Sequence, residues 1–425
     1  MLALNGKGSA EAHKINGVNW VMKTQSDTRK EPSFIGIDYH KRYSVYCVVD
    51  VRGEVLERGR IEHVDPGAFA ALVKRWAGCR VVFEASMNWH WLYEILEKEL
   101  APADIMLANP YKTRIIAEAQ VKTDKVDAMI LAQLLRGNLI SSVHIGSKEN
   151  RQRKEVLRQR AFFVRQRTML RNRIHRLLGG QHEVKLPQCS DLFGKKGVGF
   201  LEALELPAPA GLLLRQQLDM LRNLQVRIRE DEKVLEAMLV HTPALERVRS
   251  LPGMGLILAA VVVSEIDDIG RFPSAQKLCG YAGLCPSTSS SGGKTFNGKL
   301  MTHCNKWLRW GFVEAAWVAV GCSAYFGDFY KSKRTLGKKP NTAILATARR
   351  MARIAWQLLT EQRTYTSFPM PQEIRRRPAR RHHLPAGSAQ EMEGSIRSKI
   401  RTANLKKRLS PVAPNVDWLV AESKA

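Results

Sequence analysis

Two short apolar runs in the first quarter of the chain each end on an acid, and this pattern limits the fold more than any other. Asp38 closes FIGID and Glu84 closes VVFE. Runs rich in β-branched and aromatic residues read as strands. FIGID, YSVYCVVD, EVLERGRIE and RVVFE are four of them, with a turn signal at Arg52-Gly53 between the second and third. PGAFAALVKRWA reads as a helix between the third and fourth strands. WHWLYEILEKEL reads as a second helix, ADIMLAN as a short strand, and residues 123–136 as another helix. Three hairpin-connected strands followed by alternating helices and strands predict a mixed sheet with helices on its faces.

Strand side chains alternate between the two faces, so Asp38 can leave the buried face that its neighbours occupy. If the fourth strand lies beside the first, Glu84 comes close to Asp38, and sites of open α/β sheets gather beyond such strand ends. Asp124 and Asp127, in KTDKVDAMILAQLL, are three apart and share one helix face. A helix docked by the sheet would complete a pocket of four carboxylates. Hard oxygen ligands select Mg²⁺ or Mn²⁺, and two such ions about 4 Å apart suit reaction at phosphorus. The plainer reading of Asp124 and Asp127 is a cap pair with Thr123 at a helix start. Four acids in this order match a ribonuclease-H-like fold.

The chain has 67 Lys+Arg against 40 Asp+Glu, a net charge of +27, which points to a polyanionic partner such as DNA or RNA. No apolar stretch is long enough to span a bilayer, and the polar N-terminus lacks a signal segment. Seven scattered cysteines form no C-x-x-C pair, which fits a reducing cytoplasm and no zinc ribbon. Residues 1–32 read as a flexible extension, 33–147 as the sheet domain, and 148–244 as a long helical, coiled-coil region. Residues 245–365 read as a mainly α C-terminal domain, and 366–425 as a basic, disordered tail. In the helical region Arg151, Arg158 and Arg165 recur every seven residues, as do Arg153, Arg160 and Arg167, and form charged stripes suited to nucleic acid. Val156, Phe163 and Leu170 mark an apolar side.

Two elements of the third region carry chemistry. CPSTSSSGGKT presents serines before two glycines that permit close backbone approach. A serine exposed on a turn is a usable nucleophile, and Lys294 can contact a phosphate beside backbone N–H groups that form an anion nest. A surface linker is the plainer reading of so much Ser and Gly. Gly253-Met254-Gly255, ahead of an apolar helix, is similar to the turn of a helix-hairpin-helix, where free N–H groups bind a DNA phosphate. His303 and Arg309 are further candidates for phosphate contact.

Taken together, GIDYHK, VVFEAS, KTDKVDAMILAQLL, LPGMGLILAAVVVSEI and AGLCPSTSSSGGK resemble the successive landmarks of the DEDD-type insertion-sequence transposases. Those have a RuvC-like N-terminal domain and a serine-bearing C-terminal domain. The resemblance spans residues 33–330 in the expected order. It implies that Asp38, Glu84, Asp124 and Asp127 are the metal-binding tetrad and that Ser291 is the leading nucleophile, with Ser289 and Ser290 as near alternatives. It further implies a homo-oligomer in which tetrad and serine come from different protomers, and an element-encoded guide RNA that pairs with donor and target DNA. One departure is local. Where the family often has Thr-Gly after the glutamate, this chain has Ala85-Ser86-Met87-Asn88-Trp89. Two other functions are compatible with the residues: a Holliday-junction-resolvase-like endonuclease using water, and a non-catalytic nucleic-acid-binding protein.

Overall fold

The computed structural model describes residues 32–116 and 124–366, except 87, 182, 241 and 292. These fall into two compact units, one ending at Ile145 and the other starting at Gly146. Apart from their inner edges, the extension at 1–32 and the tail at 366–425 lie outside the described residues, as does Thr123.

In the first unit β1 (Phe34–Tyr39), β2 (Tyr43–Val49) and β3 (Val55–Glu62) are successive antiparallel neighbours. Helix α1 (Gly67–Arg75) returns the chain to β4 (Arg80–Glu84), which pairs parallel with β1 on its free side. After α2 (Trp89–Leu96), β5 (Ile105–Ala108) joins parallel to β4, giving the order β3-β2-β1-β4-β5. Helices α3 (Pro110–Ile116) and α4 (Asp124–Arg136) follow. This mixed five-stranded sheet agrees with a ribonuclease-H-like domain.

The pleat sorts the side chains into two cores. Ile35, Ile37, Val81 and Phe83 face one way and pack with Phe69 and Leu72 of α1 and Leu92 and Leu96 of α2. Phe34, Val45, Cys47, Val49 and Val82 face the other way, onto Ala128, Leu131, Ala132 and Leu135 of α4. Burial of each large side chain here contributes about 1.5–3 kcal/mol. Gly36 sits where α4 crosses β1. A Cβ there would lie 2.1 Å from the Ala128 carbonyl oxygen and 2.5 Å from the Ala132 nitrogen, both backbone atoms that cannot swing away. The absent side chain is what lets the helix reach the sheet.

Among its described residues, the second unit is helical but for one hairpin. Ser147 caps α5 (Lys148–Gly179) by accepting from the Asn150 N–H at 3.1 Å. After α6 (Lys195–Ala203), α7 (Ala210–Leu239) packs antiparallel along α5. Leu157 shares a core with Leu235 and Leu239 at one end, and Ile174 and Leu178 share another with Leu214, Leu218 and Leu221 at the other. Arg160 meets Glu232 in the polar stretch between them. Helices α8 (Pro243–Arg249) and α9 (Leu256–Ile266) flank the glycine turn, and α10 (Ala275–Tyr281) leads into the hairpin β6 (Pro286–Ser291) and β7 (Lys294–Leu300). Helices α11 (Lys306–Cys322), α12 (Ala324–Thr335) and α13 (Pro340–Thr360) complete the unit around the core built on α9. No described helix is long and apolar enough to cross a membrane.

The serine segment, read as a loop, is a β-hairpin. It lacks the apolar alternation by which a half-buried strand announces itself, because both its faces carry small polar residues. Its order comes instead from the paired backbones of the two strands.

Gly36→Ala is expected to lower the stability of the first unit by about 2–3 kcal/mol, read as a drop in its thermal midpoint. Gly179→Ala, where a Cβ would meet nothing within 4 Å, serves as the control and should leave the midpoint almost unchanged.

Candidate active-site residues

The first unit gathers the acids. Ile37 pairs with Phe83, and Asp38 and Glu84 are the next residues along these two neighbouring parallel strands. Asp38 follows Phe34 and Gly36 on the α4 face, and Glu84 follows Val82 onto the same face. The first turn of α4 carries Asp124 and Asp127. The contact at Gly36 brings that turn over the strand ends, and the charges of Asp124 and Asp127 act on the Asp38 carboxyl. Burial pushes the Asp38 pKa up, the adjacent His40 draws it down, and Asp127 and Asp124 push it up again, leaving it above its ordinary value.

Two side chains without a role in the sequence reading join this cluster. His40 Nε2 lies 3.1 Å from Asp38 Oδ2 and 3.3 Å from Asp124 Oδ2. It is sheltered, yet not aligned for a well-formed hydrogen bond to any acceptor among the described residues. Tyr43 Oη donates to Asp124 Oδ2 at 3.0 Å, and that bond holds the phenol above its ordinary pKa. The only signal for His40 was its place two residues after Asp38 in GIDYHK, which returns it to the same side of the chain. Tyr43 acquires its partner only through packing, 81 positions away.

These residues fit a divalent cation. Oxygens of Asp38 and Asp124 and the His40 nitrogen lie within 4.8 Å of one another. A sheltered nitrogen without a good hydrogen bond, facing two carboxylate oxygens that repel each other, is the arrangement a cation would satisfy. Asp127 and Glu84 are further oxygen donors on the same face.

Ser291 lies in the second unit, at the tip of the hairpin. Its backbone pairs with that of Lys294, and Gly293 takes a φ of +75° that favours glycine. The Ser291 side chain is exposed and has no hydrogen-bond partner among the described residues. Ser287 Oγ, by contrast, donates to the Lys299 carbonyl at 3.0 Å.

Several residues read as nucleic-acid contacts have structural work. A Cβ at Gly253, whose φ is +81°, would lie 2.4 Å from the Ala315 carbonyl oxygen, so this glycine seats its turn against α11. Gly255 is exposed at the N-cap of α9. Arg151 is buried and donates to the Gly146 carbonyl at 2.9 Å. Arg158 donates to the buried Glu265 at 3.0 Å. Arg165 is half-buried, with its Nε unpartnered among the described residues. Arg309 donates to the carbonyls of Ala282 and Met301 and pins the segment around the hairpin.

Carboxylates gathered at the ends of central strands in a mixed sheet suit a DNA-transposing enzyme, and the comparisons with known proteins give that class. The Transposase IS116/IS110/IS902 family model matches residues 245–331, and the DEDD transposase model of the IS110 type matches residues 35–182. A Pseudomonas aeruginosa protein named "Probable family 20 transposase" is 27% identical over 78% of this chain and 98% of its own length. The transposase for insertion sequence element IS1111A of Coxiella burnetii is 25% identical over 83% of this chain and 95% of its own. The transposase for insertion sequence element IS1328 of Yersinia enterocolitica is 23% identical, covering 77% and 97%. The chain belongs to the IS110-type family of insertion-sequence transposases.

In chelator, Asp38→Asn is expected to melt no lower than wild type, because it removes a repelled charge. A carboxyl pKa raised by folding disfavours the native state as pH rises through the window above the ordinary carboxylate value, and the amide does not ionise. Mn²⁺ at about 100 times its dissociation constant should stabilise wild type by about 2.7 kcal/mol and the variant hardly at all, measured by thermal melts at fixed protein concentration.

Proposed function

We propose that this protein cleaves and rejoins DNA at the ends of an insertion sequence, with Ser291 as nucleophile and the Asp38–Glu84–Asp124–Asp127 cluster as the metal-binding centre. The observation that supports the reading is that Asp124 and Asp127 act on Asp38 across more than eighty positions of sequence, with Glu84 ending the strand beside that of Asp38, in a chain of a DEDD transposase family. A divalent cation bound there supplies Lewis-acid stabilisation of charge on the phosphate.

The residues do the rest. The Ser291 hydroxyl gives up its proton as its Oγ attacks a DNA phosphorus. The Oγ–P bond forms, the bond from phosphorus to the departing deoxyribose oxygen breaks, and that oxygen takes up a proton. The phosphoserine link keeps the bond energy, so a second DNA hydroxyl can reverse the step on a new partner strand. His40 and Tyr43 orient Asp38 and Asp124 for the same phosphate. Tetrad and serine come from different protomers of a homo-oligomer, and an RNA from the element's own end selects donor and target DNA by base pairing. The net charge of +27 supports binding to that RNA and to DNA.

The test is a cleavage reaction with the full chain, Mg²⁺, the element-derived RNA and labelled element-end DNA. A covalent protein–DNA adduct is expected with wild type and absent with Ser291→Ala, and Asp38→Ala should lose both cleavage and adduct. An adduct that survives Ser291→Ala and vanishes with Ser290→Ala would move the nucleophile by one residue. Cleaved ends without any adduct would instead mark water as the attacking group, as in a junction-resolving endonuclease.

A further inference from the structure

The second unit holds a basic cleft beside the serine hairpin that no motif in the sequence marks. It encloses about 1260 Å³ between α12, α13 and the base of the hairpin, where Pro286, Gly298 and Leu300 form one wall. Arg349, Arg350 and Arg353 line it from α13, with Lys333 and Lys338 opposite. Arg349 donates one N–H to the Leu284 carbonyl at 2.7 Å and Arg350 one to Tyr325 Oη at 2.6 Å, but none of the five forms an ion pair with a carboxylate among the described residues, so their charge is not neutralised. The carboxylate on the wall, Glu361, is held by Arg363 at 2.5 Å and by Gln357 at 2.8 Å. Cations on a concave wall without acidic neighbours repel one another and concentrate anions from solution.

Aromatic rings are set among these charges. The Arg350 guanidinium lies 4.7 Å from the Tyr325 ring centre and 4.5 Å from that of Phe329, and Lys333 Nζ sits 5.1 Å from Phe329. Trp356 also lines the cleft, with its indole N–H fixed to the Phe272 carbonyl at 2.9 Å. Cations that track a phosphate backbone, interleaved with aromatic faces for bases, are the recognition set for a single strand. A phosphate-rich occupant fits this charge. The chain's own segment beyond residue 366 is rich in Arg, including Arg375, Arg376 and Arg377, and does not fit.

The geometry points to this cleft as the seat of a single DNA strand next to the phosphodiester that Ser291 attacks. The inference rests on the serine reading for its direction only. From Pro286 at the cleft wall to Ser291 at the tip is five strand steps, about 17 Å at 3.3 Å per residue. That equals about five stacked nucleotides at 3.4 Å each. The cleft therefore holds the strand about five nucleotides from the reacting phosphate and positions it; it takes no part in bond making.

The test reads binding, not chemistry. The full chain is titrated into a fluorescein-labelled single-stranded DNA of mixed sequence over a range of salt concentrations. Lys338→Gln with Arg353→Gln removes two exposed cations of the wall that hold no other side-chain partner among the described residues. The slope of log affinity against log salt should fall by about 1.4, at about 0.7 per phosphate contact on a single strand. Arg52→Gln with Lys98→Gln makes the same charge change at exposed positions of the first unit and should leave the slope as in wild type. Melting curves matching wild type show that both variants fold. An unchanged slope in the cleft variant, an equal fall in both variants, or a fall seen only with RNA of the same sequence would each overturn the assignment. Ser291→Ala should bind as wild type whether or not it loses the adduct, so failure of the serine reading and failure of the cleft are told apart.

Discussion

The close crossing of α4 over β1 at Gly36 is the contact on which the acidic centre depends. The pleat alone places Asp38 and Glu84 on one face at the ends of adjacent parallel strands. Only a helix backbone in van der Waals contact with that strand brings Asp124 and Asp127 within electrostatic reach of Asp38. Ala128 and Ala132 on the helix are as necessary as the glycine, since a larger residue at either would lift the helix away. The apolar half of α4 fixes what its acidic first turn can do.

This arrangement works against the stability of the isolated domain. Burial raises the cost of ionising Asp38, and the nearby Asp127 and Asp124 add to it. Local conflict of this kind, maintained inside a well-packed three-layer core, is expected at a functional site more than at a structural one. His40 relieves part of the conflict from within the chain, and a cation would relieve the remainder.

The positive charge of the second unit divides by what each cation already touches. Arg151, Arg158, Arg160 and Arg309 are committed to carbonyls or acids inside the fold. They lend rigidity to the α5–α7 pair and to the base of the hairpin, and are poorly placed to bind a moving polyanion as well. On α13, Arg349 donates to the Leu284 carbonyl at 2.7 Å and Arg350 to Tyr325 Oη at 2.6 Å, while Arg353 keeps no such partner among the described residues, and none of the three has an acidic one. A heptad of arginines therefore marked the helix, while the cations open to a ligand came from a helix with no repeat at all.

Much of this was legible before any coordinates. Apolar runs ending in Asp38 and Glu84 indicated a mixed sheet, because strand pairing must bury one face at a time, while the placing of β4 beside β1 came only with the tertiary structure. The spacing of Asp124 and Asp127 placed both acids on one helix face, and two glycines after Ser291 specified a tight turn. Tertiary packing decided the rest. The roles of His40 and Tyr43 depend on which residues the docked helix sets against them. Gly253 serves α11, more than sixty residues further on. The basic cleft exists only where α12, α13 and the hairpin base converge. Periodicity reports which face of an element is buried; which elements meet is settled by shape, and shape is not periodic in the sequence.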